Sequence, residues 1–186
     1  MNKKSIKTSS KSLIALRDSI CKDKTRYWRI IKSENVMSIK AKKAGIGSGF
    51  DLAALHNKIL QMSDTLIKVK LMLNDINRGV TKFDYEEAKK SHYYNIFKAS
   101  ELKEQLAHWE EIMKKATLNP VAKAKAGSAG KSLGKTETFT SDKINAIKKK
   151  LQLEINKIDG EIAKFNESAS IEITDDNDDI IEMMAA

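Results

Sequence analysis

The chain reads as an all-α protein: an elongated antiparallel bundle of three to four long helices. Two observations carry that reading. Apolar residues recur at helical spacing through most of the 186 residues, and a single Pro leaves those runs uninterrupted. Charged residues make up 32% of the chain, enough to cover the outer faces of slender helices. The single Cys excludes an internal disulfide framework. No stretch approaches the roughly 18 uninterrupted apolar residues of a membrane span. The N-terminal stretch also lacks the apolar core of a secretory signal. The expected location is therefore cytoplasmic, or inside a virion or assembly, without secretion.

The first unit, 1–44, is a basic N-terminal helix running from about Ser12 to Ala44. Leu13, Leu16, Ile20, Tyr27 and Ile31 form its stripe, with Ile14 and Trp28 widening it. Ser10 or Ser12 would cap the start, and the glycines that follow Ala44 would end it. Residues 51–117 predict a helical hairpin. Asp51 would cap a rod in which Leu52, Leu55, Ile59, Met62, Leu66, Val69, Leu73 and Ile76 alternate spacings of three and four, a coiled-coil seam. Leu60, Ile67, Leu71 and Met72 add apolar surface beside it, which calls for more than one neighbour. Arg78-Gly79 signals its end. The return helix is expected to begin near Thr81 or Asp84, with Asp84 and Glu87 fitting a capping box. Ala88, His92, Ile96, Ala99, Leu102, Leu106, Trp109, Met113 and Ala116 trace its face before Asn119-Pro120 stops it.

Residues 118–140 read as a flexible basic linker rich in Ala, Gly, Ser and Lys. A last bundle helix, 141–168, starts at Ser141 with Asp142 in its first turn. It carries Ile144, Ile147, Leu151, Ile155, Ile158, Ile162 and Phe165, with Gly160 inside it. Residues 169–186 form an acidic tail, with one short strand expected at 170–174.

Charge is polarised along this order. Residues 1–44 carry thirteen Lys/Arg and three acids, whereas 167–186 carry seven acids and no Lys/Arg. Such ends point to electrostatic partners, or to simple solvation.

Chemistry is sparse. Gly127 to Ser132 and Gly134 to Thr136 resemble a phosphate-binding loop. The first Gly that such a loop requires falls on Lys125 or Ala129, and no strand precedes either register. The run Asp175 to Asp179 has Ile180 and Ala186 where a calcium loop needs Gly and Glu. His56, His92 and His108 have no zinc-helix spacing, and Cys21 lacks a credible base. No catalytic, metal or cofactor-binding residues are assigned, and the expectation is a non-enzyme.

Two functional surfaces remain. The first is a self-association seam of Leu55, Ile59, Met62, Leu66, Val69 and Leu73, making a homo-oligomer or a dock for partner helices. The second is a nucleic-acid surface of Lys22, Lys24, Arg26, Trp28, Arg29 and Lys32, in which cations meet phosphates and an aromatic stacks on bases. Against it, aromatics on a helical stripe usually pack inward. The tail would moderate that surface, or dock a partner through Asp178, Asp179, Ile180 and Ile181. The leading expectation is a non-enzymatic structural or interaction protein that self-associates or scaffolds an assembly. A nucleic-acid-binding accessory protein is the alternative.

Over residues 51–168 the order of elements resembles that of septicolysin-like small helical bacterial proteins. The residues concerned are Asp75-Ile76-Asn77-Arg78, Ile158-Asp159-Gly160-Glu161-Ile162 and Phe165-Asn166. Val80 and Glu167 stand where that family has Asn and Trp, and its Arg-Asp pair is missing from 89–95. The family name implies a cytolysin, but no pore-forming apolar segment is present to carry that activity over.

Overall fold

A computed structural model describes residues 6–44, 50–117 and 139–170, with side chains omitted at 36–44 and 116–117. Five helices account for most of them: α1 (Ser10–Ala44), α2 (Leu52–Asn77), α3 (Tyr85–Ala88), α4 (His92–Thr117) and α5 (Ser141–Ser168). The described residues contain no strand. The all-α class read from the periodicity is the class observed.

The ends of the helices follow their local chemistry. At α1 the cap is Ser9, one residue before the expected serines; its Oγ accepts the Ser12 N–H at 3.2 Å. Asp51 caps α2 by accepting the Ala54 N–H at 2.9 Å. That helix closes in a Schellman turn. The Gly79 N–H donates to the Ile76 carbonyl and the Val80 N–H to the Asp75 carbonyl, with Gly79 at φ +78°. Thr140 caps α5 by accepting the Lys143 N–H at 3.3 Å.

The return helix differs from its expectation. Asp84 does cap a helix, but α3 stops after one turn at Ala88. Ser91 is the reason. Its Oγ donates to the Ala88 carbonyl at 2.6 Å and accepts the Tyr94 N–H at 3.3 Å, ending one helix and starting the next.

The four long helices run alternately up and down. Trp28 meets His56 while Leu13 clusters with Leu66 and Val69, so α1 and α2 are antiparallel. Asn95 reaches Glu161 and Lys148 reaches Glu110, which makes α4 and α5 antiparallel too. These two pairings are the most extensive, and the expected α2–α4 hairpin contact is present but smaller. Lys24 on Glu101 and Lys32 on Glu111 align α1 parallel to α4.

The coiled-coil seam is consumed inside the chain. Leu66 and Val69 are buried with Leu13 and Ile20 of α1, and Met62 and Leu73 pack on the same cluster. Ile59 is fully buried among residues of α1, α4 and α5, with Leu55 beside it. The six residues expected as a self-association seam thus pack within the chain, Ile59, Leu66 and Val69 buried and Leu55, Met62 and Leu73 partly so. A heptad stripe specifies a partner helix, and here α1 and its neighbours supply it. The neighbouring positions Ile67 and Leu71 bury against Ala88, Phe83, Tyr94 and Phe97, the second face of α2 finding its own cover.

Candidate anion-binding face of the first helix

α1 carries two chemically opposite faces. Leu13, Ile20, Lys24, Trp28 and Ile31 are all buried against the bundle. Lys22, Arg26 and Arg29 follow at i, i+4 and i+7 on the solvent side, about 6 and 4.5 Å apart along the axis at ~1.5 Å per residue. All three are exposed, and none forms an ion pair with a described residue. Together with Cys21 and Thr25 they line an open concavity of about 430 Å³. Thr25 turns its hydroxyl back to the Cys21 carbonyl at 2.9 Å, and none of the five lining residues is acidic. These two turns thus hold three positive charges that form no ion pair with a described residue, with Asp23 the acid within them.

Lys24, Trp28 and Lys32, the other half of the expected nucleic-acid surface, lie on the opposite, inward side of α1. Trp28 is 1% exposed. It lies edge-on to Trp109, with ring centroids 5.3 Å apart, and against His108 at 4.5 Å. An indole so enclosed cannot stack on a base. Lys24 is buried and ion-paired with Glu101, and with Glu104 at 3.1 Å. Lys32 is largely buried and held by Glu111. A continuous basic-aromatic stretch winds around its helix, and the winding splits it between core and solvent.

The inward ends form a charge network that no sequence signal marked. Glu101 accepts from Lys24 and, at 2.9 Å, from Lys70, joining α1, α2 and α4. Glu104 is held down at about 2 by its hydrogen bond with His108, then by Lys24. Glu111 is likewise lowered to about 2 by Lys115 and Lys32. Above this network His56, Trp109 and Phe139 pack edge-to-face, with centroids 4.7–5.7 Å apart. Burial pushes the His56 imidazole below its ordinary range. Asn35 then fastens the start of α5 to α1, accepting the Phe139 N–H at 3.0 Å and donating to its carbonyl.

Among the described residues no group of three His, Cys, Asp or Glu could hold a metal ion, and Cys21 is exposed. His92 stacks on Phe165 at 4.0 Å, far in the fold from the other two histidines. No described helix is long and apolar enough to cross a membrane. The loop-like glycines at 127–136, the basic linker and the tail residues Asp178, Asp179, Ile180 and Ile181 lie outside the described residues.

Comparisons of the chain with protein-family models, curated proteins and solved structures found no match. The septicolysin-like resemblance accordingly rests on its motif residues alone.

Proposed function

We propose that this chain is a non-enzymatic helical interaction protein that docks the phosphate backbone of a nucleic acid on the outer face of α1. The observation that supports it is the set Lys22, Arg26 and Arg29, exposed within two turns and unpaired among described residues. Lys70, Lys98, Lys103 and Lys115 are neutralised by neighbouring carboxylates, whereas Lys149, Lys150 and Lys157 of α5 are also exposed without an ion pair to a described residue. Unpaired cations on a rigid helix neutralise phosphates and release counterions, which makes binding steeply salt-dependent. With Trp28 in the core, no aromatic is offered for stacking, and backbone contacts carry no direct sequence information. Binding is therefore expected to be largely independent of base sequence. A lipid surface fits less well. A helix lying on a bilayer needs a free apolar face, and that of α1 is spent on the bundle.

The test is light scattering with absorbance at 260 and 280 nm on gently purified protein, before and after high salt. Nucleic acid that accompanies the protein and leaves at high salt supports the reading; clean protein that binds no added DNA or RNA at low salt opposes it.

One observation favours a second reading, self-association through a different helix from the expected one. Leu153 on the outer face of α5 is 63% exposed, and Gly160, two turns further along, meets nothing within 4 Å of an added Cβ. A defined oligomer that Leu153→Ser converts to monomer would carry that reading.

A further inference from the structure

The outer face of α5 carries a second row of cations. Lys149, Lys150, Lys157 and Lys164 are all exposed, and none forms an ion pair with a described residue. Lys150, Lys157 and Lys164 recur every seven residues, about 10.5 Å apart along one side of the helix. The acids between them are turned to α4: Glu154 pairs with Lys98, Asp159 with Lys103, and Glu161 accepts from Asn95. Asp142 and Glu167 stand near the two ends of the helix. We propose that this row is a second phosphate-binding face, so that one chain bridges two nucleic-acid segments, one on α1 and one on α5. The inference rests on reading the outer face of α1 as phosphate-binding.

α4 holds the two rows apart. Its Glu101, Glu104, His108 and Glu111 meet Lys24, Trp28 and Lys32 of α1. Its Asn95, Lys103 and Glu110 meet α5. Glu101 and Lys103, like His108 and Glu110, are two residues apart, which is about 200° around a helix of 3.6 residues per turn. α1 and α5 therefore flank α4 from opposite sides, and they are not among the helix pairs with substantial contact. Each row lies across its own helix from the core, represented by Trp28 and Ile31 on α1 and by Leu151, Ile155 and Ile158 on α5. The rows are also level. Lys24 and Lys32 meet α4 at Glu101 and Glu111, while Glu154 and Lys148 meet it at Lys98 and Glu110. Lys22 to Arg29 and Lys150 to Lys157 thus lie abreast of the same segment of α4.

Duplex stiffness turns two faces into two ligands. A duplex of ~15 bp is a rod far shorter than the ~150 bp persistence length, so it cannot curl from one face to the other. Two interaxial distances of about 8–10 Å each separate α1 from α5. That exceeds the screening length of ~10 Å at 0.1 M salt, so duplexes held on the two faces repel each other little. The α5 row is the weaker site. Lys150, Lys157 and Lys164 span about 21 Å, whereas Lys22, Arg26 and Arg29 concentrate three charges in about 10.5 Å. Two of those three are guanidinium groups, which grip phosphate bidentately. α1 therefore fills first, and α5 recruits the second duplex.

A bridging assay tests this with the full chain: one short DNA duplex is fixed to beads and a second, fluorescent duplex is supplied in solution. The natural chain should hold the fluorescent duplex on the beads at low salt and release it at high salt. The variant K150E/K157E, altered at two exposed positions, should bind a single duplex within about twofold of the natural affinity yet capture about tenfold less of the second. The milder K150Q/K157Q should shift capture in the same direction. Leu153, 63% exposed, lies within the row, so a second copy docked on α5 would cover it. Leu153→Ser leaves every lysine in place and should still bridge. Bridging that survives in K150E/K157E would put both duplexes on the α1 faces of associated copies and overturn the proposal. So would bridging lost in Leu153→Ser together with a dimer that becomes a monomer by light scattering. A natural chain that binds one duplex but never captures a second overturns this proposal alone. A chain that binds no duplex at low salt overturns it together with the proposed function.

Discussion

Lys24 of α1 and Glu101 of α4 form an ion pair whose side chains are only 2% and 3% exposed, 77 residues apart in the chain. Two charges removed from water need each other, so the pair fixes the axial register of α1 against α4. Removing one partner strands the other, whereas replacing both with apolar groups is often neutral. Glu101→Met should therefore cost about 3 kcal/mol in urea unfolding, Glu104 still supporting Lys24. The double variant K24M/E101M should regain most of that loss. A double variant as unstable as the sum of its singles would show that the pair has no such coupling.

Leu66 tests where the α2 seam is spent. It is 2% exposed and packed with Leu13 and Ile20. Leu66→Ala should cost about 2–5 kcal/mol of stability through the lost apolar contact and the cavity left behind. The unfolding midpoint should not depend on protein concentration, since the partner helix belongs to the same chain. A concentration-dependent midpoint would return the seam to an intermolecular role.

Gly160 offers a test of opposite sign. It sits inside α5 with nothing within 4 Å of an added Cβ and no positive φ. Gly160→Ala should stabilise the monomer by about 1 kcal/mol, because Ala loses less backbone freedom in a helix. Thermal melts would read this. Destabilisation would reveal a close neighbour of α5, as the second reading requires.

Acid should loosen the bundle in two stages. His56 lies against Trp28, Trp109 and Phe139, and burial lowers its pKa below 6.5. The unfolded chain binds that proton more readily, so the His56 contribution is complete above pH 6.5 and is lost as pH falls below it. Glu104, lowered from 4.5 to about 2, adds stability that is lost as pH falls from 4.5 towards 2. Tryptophan emission in urea at pH 5 and 7 would follow the first stage. His56→Phe should flatten that interval, and an unflattened profile would assign the titration elsewhere.

Much of this architecture was legible because periodicity and caps are local. The Asp51 cap, the Gly79 stop and the α5 stripe can each be read from a few neighbouring residues. The partner of the α2 seam was not legible: a heptad pattern demands a neighbouring helix without saying which. Lys24 and Glu101 were hidden for a related reason, since charged residues read as surface until a distant counter-charge is known. Ser91 escaped notice because one side chain competed with an otherwise continuous helical pattern. The basic stretch was half legible. Its composition marked the region, and only the winding of α1 separated Lys22, Arg26 and Arg29 from Lys24, Trp28 and Lys32.

The most direct measurement is the affinity for a short fluorescent DNA duplex as a function of salt, for the natural chain and for R26E/R29E. With three phosphate contacts the natural chain should show a log–log slope of about −2.7, and the variant should lose roughly two contacts' worth of slope together with most of its affinity. Binding that ignores salt, or that survives both charge reversals, would contradict the assignment of the outer face of α1.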